Sequence, residues 1–145
     1  YRVRHMKDDK IVKNCEISAF DGRLSRFRSA MTLLCLLTEL EKSETYSSAK
    51  NVVKVYRSEL AEALKENGKT VSDRTIKGWL LLLALNGAIK YKYQGYGTGQ
   101  PNAIFISPAF YFNGSTEEYE DALTRWATFR SDVAPARPEY VDITA

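Results

Sequence analysis

Two short helical patterns separated by a tight break constrain this chain more than any other feature. Ser58 opens the first, and over Glu59 to Glu66 the residues Leu60, Ala61 and Leu64 face one side, with an acid in the first turn to suit the helix dipole. Asn67-Gly68 ends it, since both residues tolerate the left-handed conformation that terminates helices. Ser72 caps a second helix over Asp73 to Asn86, where Ile76, Trp79, Leu80 and Leu83 recur at helical spacing until Gly87 stops it. Two helices joined by so short a turn form a helix-turn-helix.

The segment after the second helix narrows the fold. Ala88 to Gln94 alternates, with Lys90 and Lys92 on one face and Ile89, Tyr91 and Tyr93 on the other, which predicts a strand. The glycine-rich stretch Gly95 to Pro101 then leads into a second β-prone run, Ala103 to Ser107. Together they read as a hairpin, the wing of a winged helix.

The flanks complete the expectation. Leu24 to Glu41 carries two apolar series, Leu24, Phe27, Met31, Leu34 and Leu33, Leu36, Leu37, Leu40, which predicts a helix central to the domain or half covered by a second subunit. Ser43 to Asn51 reads as a polar loop, and Val52, Val53, Val55 and Tyr56 as a short strand. Ser115 and Glu118 make a capping box for a last helix, Glu117 to Arg130, with Tyr119, Ala122, Leu123 and Trp126 at helical spacing. The expected fold is α+β, mainly helical: a winged helix-turn-helix with flanking N- and C-terminal helices over residues 24–131. Residues 1–23 are expected as a basic, partly ordered segment, and residues 132–145, with Pro135 and Pro138, as an extended or disordered tail.

A chain of 145 residues, 44% of them hydrophobic, has room for one such domain. It opens on Tyr1 and not on methionine, which suggests a piece of a longer or trimmed protein. Net charge is only +3, yet residues 1–30 hold eight Lys and Arg against four Asp and Glu, and residues 50–94 hold nine against four. Positive charge gathered this way suits a polyanion, although a solvated surface explains it equally well.

With Ile76, Leu80 and Leu83 turned inward, the start of the second helix presents Arg74, Thr75, Lys77 and Gly78 outward. That is the part of a helix-turn-helix that reaches base edges in a major groove. Arg74 can grip guanine bidentately, Lys77 guanine or a phosphate, and Thr75 a thymine methyl or a phosphate; Gly78 admits close approach, and Ser72 caps the end nearest the groove. Arg57, ahead of the shorter helix, is counted with them as a DNA contact. In the wing, Lys90, Lys92, Tyr96, Thr98 and Gln100 could touch phosphates or a minor groove, or form a polar hairpin tip with no partner. Arg2, Arg4, Lys7, Lys10 and Lys13 could be an arm along the DNA backbone or a charged chain end.

Chemistry of other kinds finds little support. His5 is the one histidine, so a histidine-rich metal site or a histidine-activated nucleophile lacks a second partner. Gly68-Lys69-Thr70 lacks the earlier glycine of a phosphate-binding loop, because Ala63 stands there within a helix. Gly95, Gly97 and Gly99 are followed by a strand and not by the helix start that a dinucleotide loop requires. Cys15 and Cys35 form no paired motif and read as reduced thiols, and the apolar run Leu33 to Leu37 is too short for a bilayer. The expectation is a cytoplasmic protein that is not an enzyme and uses no cofactor, metal or membrane.

Beyond these readings, the order of elements from Lys50 to Trp126 resembles plasmid replication initiators of the RepL type. The stretch Val71 to Ile89, through Ser72, Thr75, Ile76, Leu80, Leu83, Gly87 and Ile89, is similar to the recognition helix and following strand of bacterial winged-helix proteins. More particular are Ile106-Ser107-Pro108, Phe110, Phe112-Asn113-Gly114 and the helix holding Leu123 and Trp126. The resemblance implies binding of double-stranded DNA at a plasmid origin and recruitment of host replication proteins. A homodimer through the first and last helices would favour paired or repeated sites. The alternatives are a transcription repressor, with a ligand between those two helices, and a winged helix used for protein contacts alone.

Overall fold

The computed structural model describes residues 10–13, 28–92 and 100–133. In chain order these form β1 (Lys10–Lys13), α1 (Arg28–Glu41), β2 (Ser47–Ala49), β3 (Val52–Val55), α2 (Arg57–Glu66), α3 (Asp73–Leu85), β4 (Ile89–Lys92), β5 (Asn102–Ile106), β6 (Phe112–Ser115) and α4 (Thr116–Thr128). The fold is α+β, with two antiparallel sheets: β1 pairs with β6, and β2-β3-β5-β4 forms the larger one.

Local chemistry accounts for the helix ends. Ser72 Oγ accepts from the Thr75 amide at 3.2 Å, starting α3 where the sequence indicated. Gly87, at φ 75°, lets Ala88 turn directly into β4. Gly68 has the left-handed conformation (φ 83°), whereas Asn67 beside it remains at φ −92°. The start of α2 differs from expectation. Its cap is Tyr56 and not Ser58, and the Tyr56 amide donates to Glu59 Oε1 at 2.9 Å, so the acid three residues on fixes the first turn.

The larger sheet is covered on both faces. Val53, Val55, Ile89, Tyr91, Ile104 and Ile106 join Leu33, Leu34, Leu37, Leu60, Leu64, Ile76, Leu80 and Leu83 in one core beneath α1, α2 and α3. On the other face Val52 and Phe105 meet Trp126 and Phe129, with Phe105 edge-on to both rings at 5.3 and 5.4 Å. Hence every residue of β5 is buried. The sheet therefore stands between α1 and the Trp126 end of α4. Leu36 and Leu40 of α1 are partly buried and pack against the same core as Leu33, Leu34 and Leu37.

Several segments depart from the sequence reading. Ser43 to Asn51 is not all loop, because Ser47–Ala49 pairs with β3. Lys10–Lys13 is no free arm: it pairs along its length with Phe112–Ser115, and Ile11 packs with Phe112, Tyr119 and Ala122. Helices thus cover roughly half of the described residues, with six short strands in two sheets beside them. Asp132 is not the start of a loose tail, since its amide donates to the Tyr91 carbonyl at 2.9 Å and Val133 packs on the core. The readings made on Arg2, Arg4, Lys7, Leu24, Phe27, Tyr96 and Thr98, and on residues 134–145, lie outside the described residues.

Candidate nucleic-acid interface

The register of the larger sheet brings separate elements to one end of the molecule. Lys54 of β3 and Lys92 of β4 both pair with Ala103 of β5, so the three residues form one row across the sheet. Neighbours opposite one another share a face, and both lysines are exposed on it, about 10 Å apart at two strand spacings. One residue beyond Lys54, β3 runs through Tyr56 into α2. There Arg57 Nε donates to Asp73 Oδ1 at 2.7 Å, which ties the first residue of α2 to the first residue of α3. The carboxylate of Asp73 is the main reason the Arg57 guanidinium is held above its ordinary range. The starts of α2 and α3 therefore meet near the outgoing end of β4, where Tyr91 neighbours Arg57, while Lys54 and Lys92 stand at that end on the opposite face of the sheet, the one Phe105 shares with Trp126.

Around the start of α3 the side chains divide as the helical period dictates. Ile76, Leu80, Leu83 and Ala84 are buried, while Ser72, Arg74, Lys77 and Gly78 are exposed and Thr75 is half-buried. The Thr75 hydroxyl lies 3.0 Å from Ser72 Oγ, so it is shared with the cap. A Cβ added to Gly78 would meet nothing within 4 Å. Among the described residues, neither Arg74 nor Lys77 has an ion-pair partner. A guanidinium and an ammonium on one exposed helical turn, next to backbone N–H groups at a helix start, make a surface that takes anions and hydrogen-bond acceptors.

Of the residues proposed from sequence, Ser72, Arg74, Thr75, Lys77, Gly78 and Arg57 come together, and Lys92 and the exposed Gln100 lie at the hairpin end of the same sheet. Lys90 does not join them. Its ammonium donates to the Trp126 carbonyl and sits 4.9 Å from the centre of the Trp126 ring, which turns it toward α4. Lys54 was missed, although its place between Val53 and Val55 in an alternating strand marks it as outward-facing. Leu81 was missed as well: it is 46% exposed on α3. The acids of α2, Glu59, Glu62 and Glu66, border a separate groove with Leu40 and Tyr46, where the Glu59 carboxylate raises the Tyr46 hydroxyl above its usual range.

The residues that carry the resemblance to initiators serve the framework. Ile106 ends β5 and Ser107 follows it, with the Ser107 carbonyl accepting from the Phe110 amide at 3.0 Å and Phe110 buried in the core. Phe112 stacks edge-on against Tyr119 at 5.1 Å. Among the described residues, no group of three or more His, Cys, Asp or Glu is placed to hold a metal, and no helix is long and apolar enough to cross a membrane. No family model, curated protein or solved structure matches the chain.

Proposed function

We infer that this chain is a winged helix-turn-helix that binds double-stranded DNA, with α3 in the major groove and the β4–β5 hairpin against the backbone. The observation that carries the reading is the exposed pair Arg74 and Lys77 on one turn at the start of α3, beside Arg57, with Lys54 and Lys92 exposed in one row at that end of the sheet on the face turned away from α3. The order of helix, strand, two helices and hairpin, with β3 paired to the returning strand, supports it because this order is that of a winged helix. Arg74 and Lys77 contact bases; Lys54 and Lys92 contact phosphates; Arg57 positions the start of α3 through Asp73. No catalytic step is assigned to any residue. The resemblance to RepL-type initiators makes a plasmid origin the natural DNA to test.

Fluorescence anisotropy with origin and random duplexes, repeated over a range of salt, tests this reading. Expected are a steep salt dependence, a preference for origin DNA, and loss of that preference when Arg74→Ala and Lys77→Ala are combined, at about 1–3 kcal/mol per base contact. Absence of binding to either duplex at low salt would refute the DNA reading. Binding without preference would leave the initiator role unsupported.

A further inference from the structure

Resting on the DNA-binding reading, we propose that Leu81 is a specificity residue that reads the C5-methyl group of a thymine in the major groove. In the run Trp79 to Leu85, Leu80, Leu83 and Ala84 are buried and Trp79 and Leu82 pack partly against the core, whereas Leu81 is left 46% exposed. It follows Arg74, Lys77 and Gly78 at offsets of seven, four and three residues, so the four positions form one stripe along α3. At 1.5 Å per residue, Arg74 and Leu81 are about 10 Å apart along the helix axis, comparable to the ~12 Å width of a major groove. Gly78, with open space where a Cβ would stand, keeps no side chain between them.

The cations on this stripe select a polyanion as the occupant, and the leucine then selects within the groove. Base edges in the major groove present mainly donors and acceptors, and the thymine C5-methyl is the one apolar group that projects from them. A leucine has no hydrogen-bonding group, so opposite a donor or acceptor it strips water from a polar atom and returns nothing. Against a methyl it removes apolar surface from water on both sides.

The test uses the full chain and a duplex selected by it from a randomised pool. Each thymine is replaced in turn by deoxyuridine, which removes the methyl alone. Burial of one methyl corresponds to about a fourfold change in affinity, so one replacement should weaken the native chain about fourfold. Leu81→Ala should bind the thymine duplex about as weakly and be indifferent to that same replacement, while Leu81→Met retains the sensitivity. The side chain is largely outside the core, and unfolding midpoints check that each variant is folded. A native chain indifferent to every replacement overturns the proposal, as does sensitivity retained in Leu81→Ala. A fall in the protein's own mass in solution on Leu81→Ala, with thymine dependence unchanged, would assign the residue to a contact between copies and also overturn it. Failure of the native chain to select any duplex removes the DNA reading itself, an outcome distinct from selection without thymine dependence.

Discussion

Lys90 and Lys92 lie two residues apart on β4 and look equivalent in the sequence, yet the structure gives them different surroundings. Lys92 is exposed in a row with Lys54, whereas the Lys90 ammonium is bound to the Trp126 carbonyl and to its ring at 4.9 Å. Truncating each to alanine should therefore separate DNA binding from stability. One phosphate contact contributes about 0.9 to the slope of log affinity against log salt. A fourfold rise in salt should thus weaken the native chain three- to fourfold more than Lys92→Ala, roughly, and no more than it weakens Lys90→Ala. In urea the order reverses. Lys90→Ala loses a charged hydrogen bond and a cation–π contact and should cost about 1–3 kcal/mol, while Lys92→Ala should stay within about 0.5 kcal/mol of the native chain. Anisotropy over a salt series and urea unfolding read the two arms. A Lys90→Ala chain of native stability but with a flattened salt slope would refute the argument, because it would mean that the ammonium faces the DNA and not α4.

Other expectations rest on single residues. Asn51 is fully buried at φ 67°, and its amide group donates to the Ile106 and Tyr111 carbonyls at 2.8 and 2.7 Å. Asn51→Ala leaves both acceptors unsatisfied and should cost about 2–5 kcal/mol in denaturant unfolding; Asn51→Gly, free of the left-handed penalty, should recover about 1 kcal/mol. Equal losses would sink the backbone part of that account. Gly78→Ala should stabilise the fold by about 0.5–1 kcal/mol, since the helix gains and the new methyl meets nothing within 4 Å. The same change should lower DNA affinity, and unaltered affinity in a stabilised variant would place Gly78 outside the interface. The Glu118 carboxyl accepts from the Ser115 amide at 2.9 Å, and this bond, with Lys50 next in importance, holds it below its ordinary 4.5. Because the folded value is depressed, its stabilisation is present above 4.5 and is lost as pH falls through the lower folded value. The cost of Glu118→Gln should therefore be largest at neutral pH and shrink with acidification, as urea midpoints across pH would show; a cost that grew in acid would contradict the sign.

Legibility followed the range of the interactions. Ser72 with Thr75, Ser115 with Glu118, and the reversals at Gly68 and Gly87 lie within a few residues of the groups they serve, so type and spacing alone specified them. The division of α3 into a buried stripe and an exposed cationic one was set in the same way, by a period of 3.6 residues. That is why the centre of the candidate site could be named from the chain.

Its edges could not. Lys54 enters only because β3 and β4 flank the same strand in register, and Lys90 leaves only because Trp126, thirty-six residues on, offers a carbonyl and a ring. Glu41 likewise gains its purpose at long range, accepting from Tyr111 Oη at 3.1 Å and from the Asn51 amide at 3.0 Å; burial and this carboxylate push the Tyr111 hydroxyl far above its usual range. Pairing of Lys10–Lys13 with Phe112–Ser115 joins segments about a hundred residues apart, and the strand-like signal in either is weak. Sequence by itself thus determined the run of helices, the caps at Ser72 and Ser115 and which face of α3 is free, because those depend on neighbours along the chain. Only the tertiary structure decided which cations share that free end and which are held elsewhere, since a long flexible side chain goes to whatever partner the packed fold brings within reach.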